Sequence, residues 1–227
     1  LLSVGVPAYA AALIISIFML GLLVVARPGL LPYREERGAK PPAFVIPKGI
    51  VLAIGALSLL AMLAEGGVLD WGALFIVEAH GADISLAGFA YTAFAITMTI
   101  GRLFGDRLRM AFGDLALLVA SAMLAMAGFL ASLFLPTAGA ALVGFLLVGA
   151  GISNIAPILF TLTGQTRHMP ANLAVASVLT VGYVGIIAGP AAIGLIAHAT
   201  SLQTAFFLLC AAMLIIAVSA RPVLNRV

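Results

Sequence analysis

The sequence predicts an all-α protein, a polytopic transmembrane helix bundle of seven spans, and three observations carry that prediction. Of 227 residues, 64% are hydrophobic and only 8% charged, with a mean hydropathy of +1.26. A soluble globular domain carries about 25% charged residues. Apolar runs of about 20 residues recur between short polar segments, the spacing of membrane-crossing helices; a transmembrane barrel would alternate over segments of about ten. The third observation is the side on which the cations fall.

Taken in order, the first span covers residues 6–26 and stops at Arg27-Pro28-Gly29. Arg34-Glu35-Glu36-Arg37-Gly38-Ala39-Lys40-Pro41-Pro42 reads as a linker by its charges and prolines. The second span, 49–77, holds Glu65. The remaining spans are expected at 84–104, 115–135, 140–162, 171–196 and 205–220, with turns at 105–114 and at Pro136-Thr137-Ala138-Gly139. The division is thus a helix at 1–26, a linker at 27–48, a six-helix bundle at 49–220 and a tail at 221–227. Leu1 opens straight into an apolar stretch with neither a Met nor a basic, cleavable leader, so the chain is expected to be a piece of a longer one.

All eleven Lys and Arg fall on one side of this scheme. Arg27, Arg34, Arg37, Lys40 and Lys48 flank the first connection, Arg102, Arg107 and Arg109 the third, Arg167 the fifth, and Arg221 and Arg226 the tail. The opposite loops hold Glu78, His80, Asp83 and His198. By the positive-inside rule the basic side is cytoplasmic, with Leu1 outside and Val227 inside, in a plasma membrane such as the bacterial inner membrane. The pI near 9.4 is then topology, and no nucleic-acid partner is expected. The lone Cys210 builds no disulfide framework. His80, His168 and His198 lie in separate loops, so neither a metal nor a cofactor is expected.

Polar residues are unevenly shared. The second span has Ser58, Glu65 and Asp70; the third Tyr91, Thr92, Thr97 and Thr99; the fifth Ser153 and Asn154; the sixth Asn172, Ser177, Thr180 and Tyr183. The fourth and seventh have little beyond Ser121, Ser132 and Cys210. Polar side chains in a bundle face its interior or a watery cavity. The second, third, fifth and sixth spans are therefore expected to line a site, and the fourth and seventh to face lipid. A poor span in every third place fits two three-helix repeats, a transporter building plan.

Glu65 stands out. Lys48 and Glu78 bracket its run about 30 residues apart, about 45 Å as a helix, the thickness of a bilayer with its headgroups. A carboxylate at that depth is costly and marks a functional site by default. Its expected role is a protonatable coupling or substrate-binding group, against the plainer alternative of a structural carboxyl hydrogen-bonded between helices. Tyr91, Asn154 and Tyr183 are further cavity candidates. Asp70 lies about 140° round the helix from Glu65, unless Gly66-Gly67 breaks it, and is expected at the interface with Trp71.

The third span ends Gly101-Arg102-Leu103-Phe104-Gly105-Asp106-Arg107-Leu108-Arg109. Here the chain resembles the major facilitator superfamily of secondary transporters, whose signature loop has a glycine before Asp-Arg. Gly101 stands five residues before Asp106, Leu108 replaces the second glycine, and Asp114 follows Gly113 where basic residues are usual; a weakened copy of this kind is expected in the C-terminal half. The resemblance implies that 1–26 is the sixth helix, 27–48 the central cytoplasmic loop and 49 onward the C-terminal six-helix half of a twelve-helix protein. Gly101, Asp106 and Arg107 would form a conformational loop latch, or else a plain stop-transfer charge group. Gly182-Tyr183-Val184-Gly185-Ile186-Ile187-Ala188-Gly189-Pro190 is similar to an antiporter motif of the family but stands in the eleventh-helix position, where helix packing is the better expectation. Ala64-Glu65-Gly66-Gly67 with Asp70-Trp71 looks most like bacterial sugar-permease-like members.

The expected function is secondary active transport of a small solute by alternating access, coupled to protons. The expected partners are the lipid bilayer, the solute, the proton and a missing N-terminal half. The alternative is a seven-span receptor or sensor; a retinal protein would want a mid-membrane lysine, and Lys40 and Lys48 lie on the basic side. No enzyme is expected, because Glu65 has no nucleophile or base beside it in the sequence.

Overall fold

Proline at the start and glycine at the end punctuate these helices. In the computed structural model, which describes residues 7–29, 47–166 and 169–226, α1 (Ala8–Ala26) follows Pro7 and runs into a single 3-10 turn at Arg27–Gly29. The linker core at 30–46, Arg167 and His168, and the chain ends at 1–6 and 227 lie outside the described residues. The remaining helices are α2 (Ile50–His80), α3 (Ile84–Phe112), α4 (Asp114–Phe134), α5 (Ala138–Ile152), α6 (Ile155–Gln165), α7 (Ala171–Ala199) and α8 (Leu202–Leu224). No strand occurs among the described residues. Among the described residues seven passes are long and apolar enough to cross a membrane, α5 and α6 together making one.

The helices outrun the apolar runs. α2 continues to His80, closed by Gly81 at φ 62 with its N–H on the Val77 carbonyl. It passes unbroken through Gly66-Gly67. α3 corrects the sequence reading more sharply: residues 105–112 are its last turns and not a loop. They carry charge, but Arg, Leu, Met and Ala are good helix formers and no proline intervenes. The chain turns only at Gly113, whose φ of 78 suits glycine. The fifth pass, expected to be continuous, breaks at Ser153-Asn154.

Helix pairing within residues 42–227 supports the repeat. Exchanging α2 with α5–α6, α3 with α7 and α4 with α8 maps the packed pairs onto themselves. α2 lies along α7 as α5 lies along α3; α4 packs on α5 as α8 packs on α2; α4 and α8 meet across the axis. The two triplets start at opposite ends of the bundle, as inverted repeats do.

Without water to expel between helices, membrane bundles cohere by close packing and small residues. The α4–α5 crossing shows this: a side chain at Gly128 would run into the backbone of Gly144 and Val148, and one at Gly144 into Gly128 and Ser132. Behind it Phe75, Phe129, Phe145 and Phe206 form one buried aromatic cluster, Phe75 stacked on Phe206 with centroids 4.2 Å apart. Hence α4 and α8 are better covered within the described residues than α3 and α7, whose exposed faces carry the polar side chains. Ser121, Ser132 and Cys210 are all buried.

Candidate functional site

Glu65 is the midpoint of α2, about 15 residues and so about 22 Å from both Ile50 and His80. Its partner is Arg102. Nη2 of Arg102 donates to both Oε1 and Oε2 of Glu65, each at 3.3 Å. Arg102 stands about ten residues, or about 15 Å, inside the end of α3 at Phe112. Helical side chains lean toward the N-terminus, which here is toward the level of Glu65. Arg102, assigned from the sequence to a basic flank, is thus the partner of Glu65 within α3. Each charge alone at this depth would cost about 2.5–3.5 kcal/mol by insertion scales, and pairing is the usual remedy. The pair sits at a rim: the Glu65 side chain is 20% exposed and that of Arg102 47%.

The broken fifth pass sets the position of Arg102. Ser153 Oγ donates to the Ala150 carbonyl at 2.6 Å, and Asn154 Nδ2 donates to Ser153 Oγ at 2.9 Å and across to the Gly101 carbonyl at 3.3 Å. A Cβ at Gly101 would strike Ser153, and one at Gly105 would strike the Asn154 carboxamide. The two glycines thus seat α3 on the break. One residue beyond Gly101, Arg102 is turned 100° away, toward α2. Thr97 adds a hydroxyl bond to the Leu146 carbonyl at 2.8 Å. Asn154, read from the sequence as a cavity residue, is buried and its amide engaged by this clamp.

Farther along α3 lies a second charge group. Arg109 donates through Nε and Nη2 to Asp114 Oδ1 and Oδ2 at 2.7 and 3.0 Å, and through Nη1 to Thr161 at 3.1 Å. It ties α3, α4 and α6 across Gly113. Asp106 and Arg107, from the loop motif, are instead exposed on the helix, Arg107 lying over the Phe104 ring at 5.6 Å from its centroid.

On the other side of α2, Gly182, Gly185 and Gly189 let α7 close on Ser58, Leu59, Met62 and Leu63, as expected of a packing motif. Ser58 is fully buried there and its Oγ has no hydrogen-bond partner among the described residues. Trp71, expected at the interface, packs inward against Gly194, and its Nε1 donates to the Pro190 carbonyl at 3.0 Å. Asp70 is exposed, on a different face from Glu65.

Tyr91 and Tyr183 stay outside these contacts, 44% and 51% exposed. Tyr91 is about 20° from Arg102 round α3 and Thr99 about 60°, so they form one exposed polar stripe; Asn172, Thr180 and Tyr183 form another on α7. The stripes flank Glu65 from two sides. Two cavities lie elsewhere, one of about 300 Å³ bordered by Thr97, Gly101, Ser121 and Asn154, the other of about 200 Å³ and apolar among α2, α7 and α8. The structure therefore joins Glu65 to a residue that sequence reasoning had assigned to a flank, and Asn154 to the glycines of the motif. It leaves the tyrosines facing outward. The signal for Arg102 was the lone carboxylate itself, which demands a cation at its own depth.

No protein-family model matches the chain. It is 44% identical, over 98% of its length, to an uncharacterized MFS-type transporter of Yersinia pestis, of which it covers 58%. It is 32% identical to the membrane protein MosC of Rhizobium meliloti over 87% of its length, and 31% identical to an uncharacterized transporter of Sinorhizobium fredii over 85%. It covers 49% and 50% of those two, so the chain spans about half the length of the curated relatives it matches. Its fold matches a crystal structure of a mutant of the peptide transporter POT in complex with sulfate. The TM-score is 0.65 at 17% identity, covering 81% of this chain and 40% of that one.

Proposed function

Because the chain belongs to the major facilitator superfamily, we propose that it is the C-terminal six-helix half, with the helix before it, of a secondary transporter. The transporter moves a small solute across the membrane by alternating access, and protons couple to that movement at Glu65. Residues 27–48 are a cytoplasmic linker and 221–227 a cytoplasmic tail; Leu1 faces outward, in a plasma membrane of the bacterial inner-membrane kind. The missing partner is an N-terminal half of the same protein.

One observation carries the proposal: the Glu65–Arg102 pair at the midpoint of α2, between two helices that expose polar stripes. An open polar face is untenable against lipid and suits a second half closing over a wet central site. Tyr91, Thr99, Thr180 and Tyr183 line that site. A proton on Glu65 removes the charge that holds Arg102, so proton binding and the arrangement of α2 and α3 are linked through one coupling free energy. The inverted repeat supplies two related packings for the two access states. Asp106 and Arg107, exposed at the cytoplasmic end of α3, are the latch candidates toward the other half.

The full-length protein, reconstituted in vesicles loaded with a pH-sensitive dye, tests this with a panel of small solutes. Wild type takes up protons with its solute. Glu65→Gln loses proton-driven accumulation but keeps solute counterflow. Accumulation with unchanged pH dependence in Glu65→Gln would remove Glu65 from coupling.

A further inference from the structure

Two arginines stand seven residues apart on nearly the same face of α3, and they are used differently. A guanidinium has five N–H donors in a rigid fork. Arg109 engages all three of its guanidinium nitrogens, two on the Asp114 carboxylate at 2.7 and 3.0 Å and the third on Thr161. Arg102 engages one. Only Nη2 reaches Glu65, at 3.3 Å to each oxygen, where charge-assisted bonds settle at about 2.7–2.9 Å. Its Nε and Nη1 make no hydrogen bond among the described residues, and 47% of its side chain is open. The shortfall lies on the stripe shared with Tyr91 and Thr99, toward the face where α3 and α7 flank Glu65.

We propose that Arg102 anchors an anionic group of the transported solute, a carboxylate or similar oxyanion, and that Glu65 holds that place while the site is empty. The proposal rests on the transport reading and adds the substrate class. The charge balance argues for it. Glu65 ionised against Arg102 sums to zero. A proton on Glu65 leaves an uncompensated cation about 15 Å inside the end of α3, which is costly until an anion arrives. Proton and solute carboxylate together restore neutrality, with the fork free to bind two oxygens side by side. A neutral solute offers no such compensation, so the sugar-like resemblance of α2 does not extend to a neutral sugar as the Arg102 ligand.

The test uses the purified full-length protein and paired probes: lactate against lactamide, and benzoate against benzamide. Binding is read at constant ionic strength from the shift of the thermal unfolding midpoint and converted to Kd. Wild type binds at least one carboxylate at least tenfold more tightly than its amide. Arg102→Gln abolishes that preference, and Arg102→Lys, which keeps the charge but loses the fork, restores part of it. Glu65→Gln tightens carboxylate binding threefold or more, because the internal competitor is gone. Should the lone carboxylate of Arg102→Gln prevent folding, the double variant Glu65→Gln with Arg102→Gln has no buried charge and must also show no preference. Carboxylates that bind no better than amides overturn the proposal; so does a preference that survives Arg102→Gln, or weaker binding in Glu65→Gln. Failure of proton coupling is separable, since Glu65→Gln can keep its proton-driven transport while carboxylate binding still follows Arg102.

Discussion

The back of the bundle, where α4 and α8 cover α5 and α2, differs from the front, where α3 and α7 flank α2, in how polar groups are treated. At the back the polar groups around Ser132 close on backbone nearby: Ser132 Oγ donates to the carbonyls of Gly128 and Ala141, and His80 Nε2 meets the Ser132 carbonyl at 2.9 Å. At the front, Tyr91, Thr99, Arg102, Thr180 and Tyr183 face outward. The front threonines also close on their own helices, Thr99 on the Ala95 carbonyl and Thr180 on the Ala176 carbonyl at 2.8 Å each, but the Tyr91 and Tyr183 hydroxyls and two nitrogens of Arg102 make no hydrogen bond among the described residues. The number of polar residues in a span therefore says less than whether their bonds close locally.

That contrast can be broken first at the back. Gly128→Leu forces side-chain atoms into the backbone of α5, and the shift it requires has no flexible neighbour to absorb it. The expected outcome is loss of folded, detergent-stable protein in size-exclusion chromatography; a monodisperse peak with wild-type stability would refute the tight crossing. Next in size is Phe206→Ala, which empties the centre of the aromatic cluster and costs about 3 kcal/mol by the cavity it leaves. Thermal unfolding of the variant measures it, and transport should survive at temperatures below the new midpoint. The smallest stability effect is expected at the front. Tyr183→Phe, at a half-exposed position, changes stability by less than about 0.5 kcal/mol while lowering solute transport. A variant that transports normally but unfolds earlier would move Tyr183 from the site to the scaffold.

Seven passes are legible in the sequence because apolar length is a direct physical requirement of the bilayer, and charge punctuates it. Helix ends are less legible. Residues 105–112 look like a loop by charge, yet a helix leaving the hydrocarbon needs only helix formers and no proline, and it stops where Gly113 stops it. The same habit of treating cations as flank hid Arg102. Its guanidinium instead turns to the Glu65 carboxylate, 3.3 Å from each oxygen. Glu65 is legible as a costly group because burial of charge is a one-body property; its partner is a two-body property, set by how Gly101 and Gly105 seat α3 on the Ser153-Asn154 break. That break has a local signal in Gly149, Gly151, Ser153 and Asn154, all weak helix formers, but whether a pass snaps there depends on α3 supplying the carbonyl that receives Asn154. The exposed tyrosines are legible as polar, not as outward, because facing is decided by which helices pack on which.

Trp71 is the single tryptophan among the 227 residues, and its indole N–H rests on the Pro190 carbonyl at the seam of α2 and α7. The seam thereby carries its own fluorophore. Indole emission depends on whether that N–H meets a fixed carbonyl in an apolar wall or moving water, so the colour of this half's ultraviolet fluorescence is a readout of whether α2 and α7 are closed, with no label attached.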